Sequence, residues 1–248
     1  MVAAARQVDP EGLTGAVEDY LKTIYELASR DGVAATSDVA NALGVAPASV
    51  TGMIRRLAAQ GLLDYVKYRG VHLTENGRRA ALSTIRRHRI LETYLTRVLG
   101  YPWDRVHDEA ERLEHAASDE LIECMSAAMG HPTADPHGAP IPTADGTVDE
   151  RLLQTLAELP IGVRANMVRV SDKNPELLRY LADIALQPGV EVMVTARAPF
   201  DGPITLKLGR SQAIVGATLA TQVLVEIAPI APAPNEQSPG TRKRTRGR

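Results

Sequence analysis

The chain has 248 residues, 28 basic against 30 acidic side chains for a formal net charge of −2, 44% hydrophobic residues and one cysteine, Cys124. That length holds two or three small cores. The lone thiol excludes an intrachain disulfide, and no apolar run reaches the length of a membrane span or a secretory leader, so the expectation is a cytoplasmic protein without a membrane partner. The charge is unevenly spread: residues 51–100 carry ten Lys/Arg against three acids, residues 101–160 three against thirteen, and the last 18 residues five against one. A basic block ahead of an acidic one fits a polyanion-binding module joined to a cation-binding module, although opposite blocks also attract each other across a domain interface.

In chain order, Gly15 to Arg30 reads as an amphipathic helix with Val17, Tyr20, Leu21, Ile24, Leu27 and Ala28 inward. TSDVANALGVAPASVTGMIRRLAAQGLL, residues 36–63, has helix-turn-helix spacing. Ala40 is small where two helices cross, Gly44 can take the left-handed conformation of the turn, and Val50 packs the second helix. Thr36, Pro47, Ala48, Ser49, Thr51, Arg55 and Arg56 are the candidates for contact with DNA, as short polar and cationic groups suit phosphates and base edges. LLDYVKYRGVHLTENG has two alternating apolar runs around Arg69-Gly70, a hairpin signal. It makes a wing with Lys67 and Arg69 near its tip, and it ends in Thr74, an N-cap candidate. A small helical bundle is the blander alternative.

From Thr74 to Leu99 a long helix carries Ile85, His88, Glu92, Leu95 and Leu99 along one seam. Burying His88 and Glu92 there is costly unless something pairs with them: each other, or a shared metal. Residues from Val106 to about Met129 read as one further helix, with an apolar stripe of Val106, Ala110, Leu113, Ala117 and Leu121. His107, Glu111, Glu114 and His115 border that stripe, and two carboxylates and two imidazoles so crowded repel or shift their pKa values unless a cation intervenes. GHPTADPHGAPIPTADG reads as an ordered loop and linker. From about Leu159 short β runs take over (ANMVRVS, GVEVMVTAR, PITLKL, QVLVEI), interrupted by the helix PELLRYLADI with Asn174 as N-cap, a pattern that fits a small β-barrel. The tail after residue 228 lacks apolar periodicity and reads as disordered and basic.

Taken together, VEDYLKTIYEL, the helix-turn-helix, IRRHRILE, VHDEAERLEHAASDE and DPHGAPIP resemble the metal-dependent regulators of the diphtheria-toxin-repressor type (DtxR/IdeR/MntR). The resemblance implies a mainly α chain with a small β part: a winged helix-turn-helix DNA-binding domain (1–76), a helical metal-binding and dimerisation domain (77–148), an SH3-like barrel (159–228) and the tail (229–248). It implies a homodimer on double-stranded operator DNA, and a primary metal site of Asp19, Glu111, Glu114 and His115 with His88. An ancillary site would take Glu92, Asp135, His137 and Asp172, with His107 a possible ligand, for about two ions per subunit. Asp19 enters by resemblance alone, since its helical position places it opposite the apolar face. Lys22 stands where some manganese regulators have a glutamate ligand, which argues against two metals sharing the primary site. Cys124 matches no ligand position and reads as a buried helix residue.

Oxygen and imidazole donors favour Mn²⁺, with Fe²⁺ the alternative. The expected function is a Mn²⁺-dependent repressor of metal-ion homeostasis. A cation would bridge Asp19 to the dimerisation domain, and without it the carboxylates would repel and the domains wander. Two other readings stand beside it. A metallohydrolase would need an open coordination position and a base within reach of bound water, and no spare base is visible. A metal-free ligand-responsive regulator would be indifferent to Glu111 and His115.

Overall fold

The computed structural model describes residues 13–66, 70–149 and 151–227. Lys67, Arg69, the N-terminal residues 1–12 and the basic tail therefore lie outside the described residues.

Helix α1 (Gly15–Asp31) ends on Gly32, which takes the left-handed φ of +77° that lets its N–H close back on the Ala28 carbonyl. Helices α2 (Thr36–Leu43) and α3 (Pro47–Ala59) follow, joined through Gly44 at φ +64°. Strands β1 (Leu63–Val66) and β2 (Gly70–Leu73) pair antiparallel. Val17, Leu21 and Ile24 of α1, Val39 and Ala40 of α2, Val50, Ile54 and Leu57 of α3 and Val71 of β2 share one buried core. The three helices and the wing thus share one core, in which α1 packs on α2 and α2 on α3.

Helix α4 (Glu75–Arg97) is the spine. The Thr74 hydroxyl accepts from Gly77 N–H at 3.1 Å, as a cap should. Gly77 is tied to its place by proximity: a Cβ there would come within 2.0 Å of the Leu62 carbonyl oxygen. Helix α5 (Val106–Leu113) and helix α6 (Asp119–Ala128) pack on α4 around Ile90, Leu91, Ala110, Ile122 and Ile141.

The expected single helix from 106 to 129 is therefore two. Ser118 N-caps α6 by accepting from Leu121 N–H, and the segment 114–118 between the helices turns. The new register leaves only Val106 and Ala110 of the expected stripe buried, while Leu113 and Leu121 are exposed. Cys124 is exposed as well, not buried, because in that register Ile122 and Ser126 of α6 face inward. Leu99, beyond the end of α4, is likewise exposed.

The C-terminal part is a six-stranded antiparallel sheet in the order β3-β8-β4-β5-β6-β7. The strands are β3 (Gln154–Thr155), β4 (Arg164–Val170), β5 (Glu191–Arg197), β6 (Ile204–Leu208), β7 (Ser211–Val215) and β8 (Val223–Ile227). Strands β3 and β7 are its two edges among the described residues, so the sheet is SH3-like in size and order but is not hydrogen-bonded into a closed barrel. The short strands β3 and β7 escaped the sequence reading, and β3 lies ahead of residue 159. Helix α7 (Pro175–Asp183) is capped by Asn174, whose side chain accepts from Glu176 N–H and Leu177 N–H. It covers a core of Met167, Leu178, Leu181, Val192, Val194 and Leu206.

The sheet unit docks onto the loop after α6. Val170 N–H donates to the His137 carbonyl at 3.0 Å. Gly138, at φ +85°, lies so close to β4 that a Cβ would sit 1.7 Å from the Val168 oxygen. Lys173 pairs with Glu26 of α1 and Arg179 with Asp104, each at 3.0 Å.

Candidate metal centre

Where α1, α4 and the 114–118 turn converge, acids and imidazoles gather. His115 Nε2 lies 2.8 Å from Asp19 Oδ1 and 3.6 Å from Glu114 Oε1. Asp19 thus reaches the turn while 38% of its side chain stays exposed. Its carboxyl is raised above the usual range, burial outweighing the pull of His115. The other ring nitrogen of His115, Nδ1, donates to Glu18 Oε2 at 2.6 Å. Glu18 is itself buried and accepts from Arg87, whose Nε also donates to the Glu114 carbonyl at 3.1 Å. A carboxylate holding Nδ1 fixes the ring and aims Nε2 at Asp19 and Glu114, the outer support that imidazole ligands need. Gly15 makes room for it: a Cβ there would meet the ring at 3.1 Å.

Glu111 does not join that trio. It groups with His88 and Glu114, and Lys22 lies between the acids, its Nζ 2.5 Å from Glu111 Oε1 and 2.9 and 3.0 Å from the two oxygens of Glu114. Burial works against the charge on Lys22, but Glu114 and Glu111 outweigh it and hold the ammonium above its usual range. The carboxylates are therefore not left to repel one another, contrary to expectation, because Lys22, Arg87 and the imidazoles face them. Glu114 is fully buried, its pKa lowered by His88 and Lys22 against the opposing effect of burial.

His88 joins this cluster to a second one. Its Nδ1 lies 2.5 Å from Glu114 Oε2 and its Nε2 lies 3.0 Å from Glu92 Oε1. Burial opposes the imidazolium, yet the hydrogen bonds to Glu114 and Glu92 push its pKa up to about 9. Around Glu92 stand His107 and Asp172, with His107 Nδ1 3.4 Å from Glu92 Oε1 and 3.3 Å from Asp172 Oδ2. His107 is pushed up to about 10, again against burial, by Asp172 and Glu92. It thus belongs to the ancillary group, and Asp172 reaches that group from the loop between β4 and α7.

The far side of Glu92 tests whether a metal fits. Glu92 Oε2 and His137 Nδ1 are both buried without a hydrogen-bond partner and lie 3.7 Å apart. That is too long for a hydrogen bond and close to the separation of two donors each about 2.1 Å from one ion. His137 Nε2 donates to the Trp103 carbonyl at 2.7 Å, which turns Nδ1 toward Glu92, and the Trp103 ring stacks on the imidazole with centroids 5.5 Å apart. Asp135 completes this group. Its Oδ1 accepts from His137 N–H and Ala139 N–H, while burial, followed by Glu92, pushes its carboxyl up to about 6. Orphaned donors of this hardness fit a divalent cation.

All ten metal candidates therefore fall into two adjoining clusters. Sequence reasoning missed Glu18 and Arg87 and saw in Lys22 only a missing ligand. These contacts are made 27 to 97 residues away, and no local pattern signals them. On the DNA side, Pro47, Ala48, Ser49, Arg55 and Arg56 are exposed along one face of α3, Thr36 opens α2, and Thr51 donates back to the Pro47 carbonyl.

Comparisons with known proteins match three successive stretches of the chain. Residues 12–71 match the iron dependent repressor N-terminal DNA binding domain, residues 74–143 the iron dependent repressor metal binding and dimerisation domain, and residues 154–227 the FeoA domain. The chain is 30% identical over 226 residues to the iron-dependent repressor IdeR of Mycobacterium tuberculosis, covering 86% of this chain and 98% of the relative. It is 40% identical over 110 residues to the HTH-type transcriptional regulator MntR of Lysinibacillus sphaericus, covering 44% and 78%. A solved manganese-dependent transcriptional repressor in complex with manganese superposes with a TM-score of 0.78 at 40% identity, over 86% of this chain and all of the other.

Proposed function

The chain belongs to the iron-dependent repressor family of metal-dependent, DNA-binding transcriptional regulators, and from that premise we propose that it is a repressor activated by Mn²⁺. Family members are repressors, not enzymes, which removes the metallohydrolase reading. The observation that carries the choice of manganese is the donor set: Asp19, Glu111, Glu114, His115 and His88 in one cluster and Glu92, His107, Asp135, His137 and Asp172 in the other contain no sulfur. Hard oxygen donors with imidazole suit Mn²⁺, while Fe²⁺ shares much of that preference. Two clusters support about two ions per subunit.

A bound divalent ion would supply a double positive charge shared by several of these acids at once, where each side-chain partner carries at most one. Everything else is done by the chain. Asp19 ties α1 to the turn carrying Glu114 and His115, Glu18 and Arg87 keep the His115 ring aimed, and α1 passes its orientation to α3 through the shared core. In a homodimer this fixes the distance between two recognition helices, and with it the fit to successive major grooves of operator DNA. Such a reader works in the cytoplasm, and among the described residues no helix is long and apolar enough to cross a membrane.

The test is an anisotropy titration on a duplex that the protein selects from a random pool. Affinity should fall by about 5–150-fold when chelator replaces Mn²⁺, and equal affinity in both conditions overturns the proposal. Titration with Fe²⁺ under anaerobic conditions ranks the two metals.

A further inference from the structure

Lys22 stands one turn from Asp19 on the same face of α1, with only 12% of its side chain exposed. Its ammonium is within 3.0 Å of three carboxylate oxygens, one of Glu111 and both of Glu114, which are 89 and 92 residues away in the chain. The neighbouring internal cation is engaged elsewhere: Arg87 gives its donors to Glu18, Ser83, Thr84, Asp119 and the Glu114 carbonyl. His88 Nδ1 also faces both acids, 2.5 Å from Glu114 Oε2 and 3.7 Å from Glu111 Oε1, but an imidazole is charged only when protonated, so Lys22 is the permanent positive charge on their side-chain oxygens. An oxygen lone pair that accepts from an ammonium is not free for a divalent ion, so the two cations contend for the same atoms.

We propose that Lys22 is a tethered competitor for Glu111 and Glu114, and that displacing it sets how much divalent cation the protein needs before α1 is bridged to the 114–118 turn. The inference rests on the ion-bridge reading above and adds to it a residue that determines the threshold. An ammonium on a four-carbon stem is flexible and strongly hydrated, so it gives way to an ion held by several ligands at once. Until then it holds α1 against α5. The chain without metal is closed by a weaker, internal cation rather than left open.

The experiment measures Mn²⁺ binding to the full chain by electron paramagnetic resonance of the free ion, at one pH, for the wild type, Lys22→Met and Lys22→Gln. A parallel melting curve is taken for each without metal. Losing one charge-assisted partner should tighten Mn²⁺ binding by about tenfold in Lys22→Met. Lys22→Gln should shift in the same direction, both with the same number of ions as the wild type. The metal-free Lys22→Met protein should melt lower, and its gain in melting temperature on adding Mn²⁺ should exceed that of the wild type. Affinity unchanged or weakened in both variants overturns the inference. So does an additional ion bound with the first affinity unchanged, because Lys22 would then replace a second cation instead of competing with the first. A wild type that binds Mn²⁺ while the variants bind no tighter leaves the ion-bridge reading intact. A wild type that binds none sinks that reading, and this inference with it.

Discussion

The two clusters are built from the same residue types but differ in what already neutralises them. At the α1 end every acid has an internal partner: Lys22 for Glu111 and Glu114, Arg87 for Glu18 and His115 for Asp19. At the sheet end Glu92 Oε2 and His137 Nδ1 are buried with none. A satisfied cluster can exchange cations with little loss of order, whereas an orphaned pair pays a desolvation cost that only a ligand removes. The first arrangement suits a switch and the second a standing structural ion.

The largest test of this contrast is Glu114→Ala. It strips Lys22 and His88 of a shared, fully buried partner, and breaking such a pair costs about 3–5 kcal/mol. The metal-free variant should show that loss in chemical denaturation, and operator binding with Mn²⁺ should disappear. Next is Gly138→Ala, which places a Cβ against the Val168 oxygen at a left-handed backbone position. Strain alone costs about 1–3 kcal/mol, so the sheet unit should undock. Limited proteolysis would then cut near residue 150, and the ion at the sheet end should be lost while the α1 end still binds. Glu92→Gln should keep the fold and weaken the ion at the sheet end by at least about 10–100-fold, read by elemental analysis as one ion fewer.

The smallest effect is in pH. His88 is raised from an ordinary 6.5 to about 9 and His107 to about 10. Their charged forms stabilise the metal-free fold fully below pH 6.5, and that contribution is lost as pH rises through about 9 to 10. The melting temperature without metal should therefore fall over that window. Mn²⁺ binding near neutral pH should release protons, seen as calorimetric heats that change with the ionisation enthalpy of the buffer. No buffer dependence would mean that these imidazoles are already neutral.

Much of this was legible in advance. The helix-turn-helix, the Thr74 and Asn174 caps, the hairpin and the long α4 follow from periodicity and turn chemistry, which act within a few residues. The break after Leu113 was not, because one apolar stripe ran plausibly through a turn that a single serine cap interrupts. Cys124, read as buried because a free thiol usually is, lies exposed in the register that the break creates. Lys22, Glu18 and Arg87 acquire their partners only when α1, α4 and the turn meet. A lysine in an amphipathic helix reads as surface until its distant carboxylates are known.

Trp103, the only tryptophan of the chain, lies with its indole stacked on His137 and its carbonyl receiving that ring's proton. A fluorophore is thereby stacked on one candidate residue of the sheet-end cluster. Paramagnetic quenching of its emission would report filling of the sheet-end position by itself. Set against an operator-binding curve, that signal would give the order in which the two positions fill without labelling the protein.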